Sequence, residues 1–122
     1  MQYLKTYLKK ITDRGNTKLA ESIEKTANDV GNKHIKTFSF SSHEIGLLLG
    51  NVQSGKTGQM FGIICKAADL GFPVFVLLTT DNVVLQQQTL DRVRADLEGF
   101  CICGENDAAL FAENNLMDPV II

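Results

Sequence analysis

Gly50-Asn51-Val52-Gln53-Ser54-Gly55-Lys56-Thr57 matches the phosphate-loop pattern G-x-x-x-x-G-K-[ST], and the rest of the chain is read from it. The apolar run Ile45-Gly46-Leu47-Leu48-Leu49 comes directly before it and predicts a strand, while an apolar stretch over 57–70 comes directly after it and predicts a helix. That context matters because a helix N-terminus aims unpaired amides and the positive end of its dipole at an anion. Gly50 and Gly55 allow backbone turns that a Cβ would block, so the amides from Ser54 to Thr57 can converge on the α- and β-phosphates of a nucleoside triphosphate. Lys56 brings a compact charge to the β- and γ-phosphates, and the Thr57 hydroxyl is a ligand for Mg²⁺. A glycine-rich turn with a solvated Lys56 is the plainer alternative; the strand and helix flanks argue against it.

Composition sets bounds on that reading. The chain has 122 residues, 44% of them hydrophobic, which suffices for one globular domain with a modest core. Its formal charge of −2 gives no overall basic field, so a nucleic-acid contact would need a local patch. No stretch approaches the ~18 apolar residues of a membrane span, and the first residues carry no signal-like apolar core. Three cysteines without a framework spacing fit a reducing compartment, so a soluble, cytoplasmic protein is expected. Cys101 and Cys103 should share one face of a strand, but His34 and His43 have no ligand-like spacing to them. Buried small apolar groups are expected there rather than zinc ligands.

Along the chain, Leu4, Tyr7, Leu8 and Ile11 recur at helical spacing up to Gly15. Leu19, Ile23, Ala27 and Val30 do so again, with Asn16 or Thr17 as N-cap and Gly31 as terminator. A helical hairpin and linker over 1–42 is therefore expected to precede an incomplete P-loop domain over 43–122. Phe38 and Phe40 alternate in a linker or edge strand and are expected to tuck under a sheet. The helix over 57–70 is apolar nearly all round, which predicts burial against a sheet; Gly58 and Gly62 would permit close approach to the phosphate and to the neighbouring strand. Residues 72–78 form an unbroken apolar run, expected as an interior parallel strand covered on both faces. Thr79-Thr80-Asp81 should cap a helix with Val83, Leu90, Val93 and Leu97 inward and Gly99 at its end. Short strands are expected over 100–103 and 119–122, with a brief helix over 107–114 between them. The sum is an α/β fold with a parallel sheet flanked by helices.

The words around the loop narrow the class. Gly50 to Thr57, then Lys66-Ala67-Ala68-Asp69-Leu70-Gly71, then Leu85 and Gln88-Thr89-Leu90-Asp91-Arg92, resemble the helicase-like ATPases associated with restriction and phage-defence endonucleases, the Z-one type. The resemblance covers about 45–97 and implies a partial RecA-like domain of the superfamily-two kind, which binds ATP and Mg²⁺ and couples hydrolysis to movement on DNA. It implies Gly50, Gln53, Ser54, Gly55, Lys56, Thr57 and Gly58 as nucleotide contacts. Lys56 and Thr57 would serve catalysis, with Thr57 on the metal. Thr79, Thr80, Gln88 and Arg92 are the candidate DNA contacts, with a helix cap as the competing role for Thr79 and Thr80, favoured for Thr80, and plain exposed polar positions for Gln88 and Arg92. No apolar strand ending in Asp-Glu follows Thr57, so the carboxylate that would hold Mg²⁺ and position water is missing; Asp69, Asp81, Asp91 and Asp96 stand in helical or capping contexts. The expectation is an amino-terminal fragment that binds ATP without hydrolysing it alone, with an exposed sheet edge prone to self-association.

Two other readings use the same loop. A small-molecule kinase would need a lid with arginines near the phosphates, and the arginines are Arg14, Arg92 and Arg94. A non-enzymatic nucleotide-binding or assembly remnant would leave the loop vacant. A GTPase is disfavoured, since Thr17-Lys18-Leu19-Ala20 and Asn32-Lys33-His34-Ile35 both lack the aspartate of an N/T-K-x-D guanine reader.

Overall fold

The computed structural model describes residues 2–50, 55–79, 82–104 and 118–122. The described chain is mixed α/β and divides into two compact units, 2–71 and 72–122, whereas the sequence suggested a boundary after Ser42.

The first unit is helical. Helix α1 (Tyr3–Asp13) and helix α2 (Thr17–Val30) form the expected hairpin, and Gly15 makes the turn at φ 84°. Leu4, Tyr7 and Ile11 of α1 and Ala20, Ile23 and Ala27 of α2 are buried, one stripe per helix. Gly31 is the C-cap of α2, as expected, but without the left-handed turn that would stop the chain. It holds right-handed helical angles, and the chain continues through a π-helical turn, Gly31–Ile35. What requires glycine there is Lys66, whose side chain occupies the space a Cβ would take. Phe38 and Phe40 make no strand; they pack edge-on against each other with centroids 5.1 Å apart, and Phe40 is exposed.

Helix α3 (Lys56–Asp69) buries Phe61, Ile64, Cys65, Ala67 and Ala68, and within its unit the covering layer is the helical hairpin rather than a sheet. Periodicity specifies that a face is apolar, not what will cover it. Gly58 and Gly62 accordingly make room for α2: a Cβ on Gly62 would collide with Ile23 Cγ2, and one on Gly58 would lie 3.4 Å from both Ile23 Cδ1 and the Tyr7 hydroxyl. At the far end Asp69 accepts the amides of Tyr3 (2.7 Å) and Leu4 (3.2 Å), so α3 supplies the N-cap that Gln2 does not give to α1. Gly71, at φ 96°, ends α3 as expected.

The second unit holds strand β1 (Val74–Phe75), helix α4 (Val83–Asp96), strand β2 (Cys101–Ile102) and strand β3 (Val120–Ile121). The sheet is parallel with order β1-β3-β2, so Val120 sits opposite both Val74 and Cys101, and Ile121 opposite Phe75 and Ile102. The central strand is thus β3, with Val120 and Ile121 buried, and β1 is an edge. The run 72–78 is therefore not covered on both faces: Val74, Val76 and Leu78 are 44%, 63% and 88% exposed. Helix α4 is capped by Asn82, whose Oδ1 accepts the amides of Val84 (3.0 Å) and Leu85 (3.2 Å), one residue beyond the expected Thr79-Thr80-Asp81, of which Thr80 and Asp81 lie outside the described residues. Val93 and Leu97 are buried as expected, Leu90 is half-buried, and Val83 is exposed. No helix among the described residues is long and apolar enough to cross a membrane.

Candidate functional site

The helix expected to leave the phosphate loop is present and begins at Lys56. Gly55 is its N-cap at φ 74° and ψ 33°, a left-handed geometry that favours glycine, and a Cβ there would also stand 3.0 Å from Leu19 Cδ1. A glycine cap has no side chain to satisfy the first-turn donors. No described residue accepts a hydrogen bond from the amides of Lys56, Thr57 or Gly58. Lys56 and Thr57 are exposed, and among the described residues neither side chain has an ion-pair or hydrogen-bond partner; Gly58 is buried.

The strand expected to deliver the loop is not formed. Residues 43–50 make no sheet hydrogen bonds, and Ile45, Leu47 and Leu49 are 86%, 83% and 81% exposed, with Gly50 exposed at the end of the run. An isolated strand has no stability of its own, and no strand among the described residues of the first unit is available to pair with this one. Just before the run, His34 Nδ1 lies 2.6 Å from Glu44 Oε1. Gln53, Ser54 and Thr80, together with the helix expected over 107–114, lie outside the described residues.

The first turn of α3 is braced from behind. The Tyr7 hydroxyl donates to the Gly58 carbonyl at 3.3 Å, and Tyr7 is only 1% exposed. Gln59 is buried, and its amide nitrogen donates to the Ser22 hydroxyl at 2.9 Å while Oε1 has no partner among the described residues. A half-satisfied buried amide costs about 1–3 kcal/mol, an expense that plain packing would avoid with leucine. Further along, burial pushes the Cys65 thiol up to about 12, with a smaller push from the charge of Asp69.

The proposed DNA-contact residues belong to the second unit. Between α4 and the carboxyl ends of the strands lies a cavity of about 650 Å³, where open parallel sheets collect ligands. Thr79 lines it; Gln88 and Arg92 do not. Arg92 Nε instead lies 3.7 Å from Asp96 Oδ2, partnering a carboxylate that is only 5% exposed. Gln86, Gln87, Thr89 and Arg94 supply the polar lining. Their helical spacing from Leu90 and Val93 was the available signal for that face. Cys101 Sγ and Cys103 Sγ lie 3.8 Å apart on one side of the β2 segment, as two residues at strand spacing should. No group of metal-ligating side chains occurs among the described residues.

Compared with protein-family models, with curated proteins and with solved structures, the chain gives no match.

Proposed function

We propose that residues 50–58 bind the polyphosphate of ATP with Mg²⁺, and that the chain is the nucleotide-binding amino-terminal part of a RecA-like, DNA-dependent, helicase-like ATPase of the Z-one type. The observation that carries the reading is the left-handed Gly55 opening directly into α3, with the first-turn amides unclaimed by any described residue and Lys56 and Thr57 exposed beside them. A nest of amides at a helix N-terminus, backed by an ammonium group, is suited to phosphate oxygens. In this role Lys56 carries the charge, the Thr57 hydroxyl ligates Mg²⁺, and Gly55 gives the backbone room to turn. The sequence lacks a Mg²⁺-holding carboxylate in strand context, so binding without hydrolysis is the activity proposed for this chain alone. DNA contact is assigned to the second unit, where Thr79, after β1, and Arg94, on α4, both line the cavity. Self-association is assigned to the exposed edge at β1.

Calorimetric titration of Mg²⁺–ATP into the wild type, Lys56→Ala and Thr57→Ala tests the reading. Saturable binding by the wild type is expected, weakened on the order of 10-fold or more by Lys56→Ala. Equal affinity of the wild type and Lys56→Ala, or no binding by either, would remove the assignment.

A further inference from the structure

We infer that the amino-terminal hairpin is part of the phosphate site, with Tyr7, Leu19 and Ser22 acting as positioning residues that set the loop's exit turn, 55–59. This rests on the nucleotide-binding reading above and gives the hairpin a role in it.

The register of α2 against α3 carries the inference. Leu19 meets Gly55, Ser22 meets Gln59, Ile23 meets both Gly58 and Gly62, and Gly31 meets Lys66. The two helices therefore run parallel, and the amino end of α2 stands beside the amino end of α3. Helix α1 runs the other way, fixed at its start by Asp69 at the end of α3. Two polar contacts and one steric contact then fall within a single turn of the loop exit. Tyr7 bonds the Gly58 carbonyl from a position 1% exposed, Ser22 bonds the buried Gln59 amide, and Leu19 closes the space a Cβ on Gly55 would need.

A buried tyrosine hydroxyl on a helical carbonyl and a buried glutamine on a serine do little that apolar packing would not do, but they fix rotation and height along the helix axis. Rotation and height are what the amides of 56–58 must have right, because charge-assisted bonds to phosphate lose strength quickly with misalignment. Docking of the hairpin and binding of phosphate are thus coupled through the same turn, and the coupling is reciprocal.

The test compares Tyr7→Phe and Ser22→Ala with Asp69→Ala, which loosens the hairpin at the end remote from the loop. Mg²⁺–ATP affinity is measured well below each variant's melting temperature, with Lys56→Ala as the control for the site itself. Tyr7→Phe and Ser22→Ala are expected to weaken binding by about 3- to 10-fold, the worth of one hydrogen bond, while Asp69→Ala lowers stability and leaves affinity unchanged. Without nucleotide, the amide NMR shifts of Lys56, Thr57 and Gly58 move in the first two variants and hold in the third. If Tyr7→Phe and Ser22→Ala melt earlier but bind as the wild type does and leave those shifts in place, the hairpin is packing only and the inference is overturned. If Lys56→Ala matches the wild type, the nucleotide reading fails, and the role inferred for the hairpin fails with it.

Discussion

Replacing Gly62 by alanine sets a gain in helix propensity against a collision, and the structure decides the sign. In the interior of α3 the propensity gain is about 1 kcal/mol. Against it, the new methyl would run into Ile23 Cγ2, with Ala27 Cβ and the Ile23 carbonyl both 3.7 Å away on the same side. Ile23 is 0% exposed and attached to a packed helix, so it has no open side to move toward. Overpacking of this kind costs about 1–3 kcal/mol, which offsets the gain and leaves Gly62→Ala destabilised by about 0–2 kcal/mol. Ile23→Ala alone should cost about 2–5 kcal/mol through the cavity it opens. In the double variant the Gly62 methyl partly fills that cavity, so the pair should be less destabilised than the sum of the singles by about 1–2 kcal/mol. Urea unfolding followed by helical circular dichroism measures all four corners of the cycle. A Gly62→Ala protein more stable than the wild type by the full propensity gain of about 1 kcal/mol, or an additive cycle, would refute the close packing of α2 on α3 described above.

Gly58→Ala should have the opposite sign: its Cβ meets Ile23 and Tyr7 at an ordinary 3.4 Å, so the propensity term wins and stability rises by up to about 1 kcal/mol in the same assay. Asp69→Ala removes the cap of α1 from a distant part of the chain and should cost about 1–2 kcal/mol. The Cys65 thiol, raised from an ordinary 9.0 to about 12 chiefly by burial, keeps its proton in the native state over a window in which the unfolded chain releases it. Its contribution is therefore intact below pH 9 and is lost as pH climbs toward 12; by about pH 11 the wild type should have lost roughly 2–3 kcal/mol more than Cys65→Ala, read from unfolding curves across that range. At the sheet edge, Val76→Lys places a charge beside β1 and should shift the self-association proposed for that edge toward monomer in light scattering; identical oligomer distributions of variant and wild type would exclude that edge as the contact.

Local chemistry made much of the fold legible. Gly15, Gly71 and Gly99 mark chain reversals after helical stretches and all stand at positive φ, because no other residue takes that conformation as cheaply. The strands at 101–102 and 120–121 follow from short β-prone runs between turn signals. The hidden features depend on partners far away in sequence. Nothing near Tyr3 foretells a cap from Asp69, and the apolar surround of α3 does not say whether a sheet or a hairpin will cover it. Gly58 and Gly62 read as concessions to phosphate and strand until Ile23 appears between them. For the site, the helix start and its glycine cap were readable from the motif. The run 45–49 has the right residues for a strand, but strand pairing is a property of two segments and cannot be read from one.

The parallel course of α2 and α3 imposes a geometric demand on the chain between them. An antiparallel pair can be joined by a tight turn, as α1 and α2 are at Gly15, but a parallel pair needs a leg that travels back along the first helix. For the 14 residues of α2 that distance is about 21 Å. The roughly 20 residues between Ile35 and Gly55 could reach about three times as far when extended. The length available for the return is therefore well beyond the span, and the apolar run at 45–49 answers to something other than bridging distance.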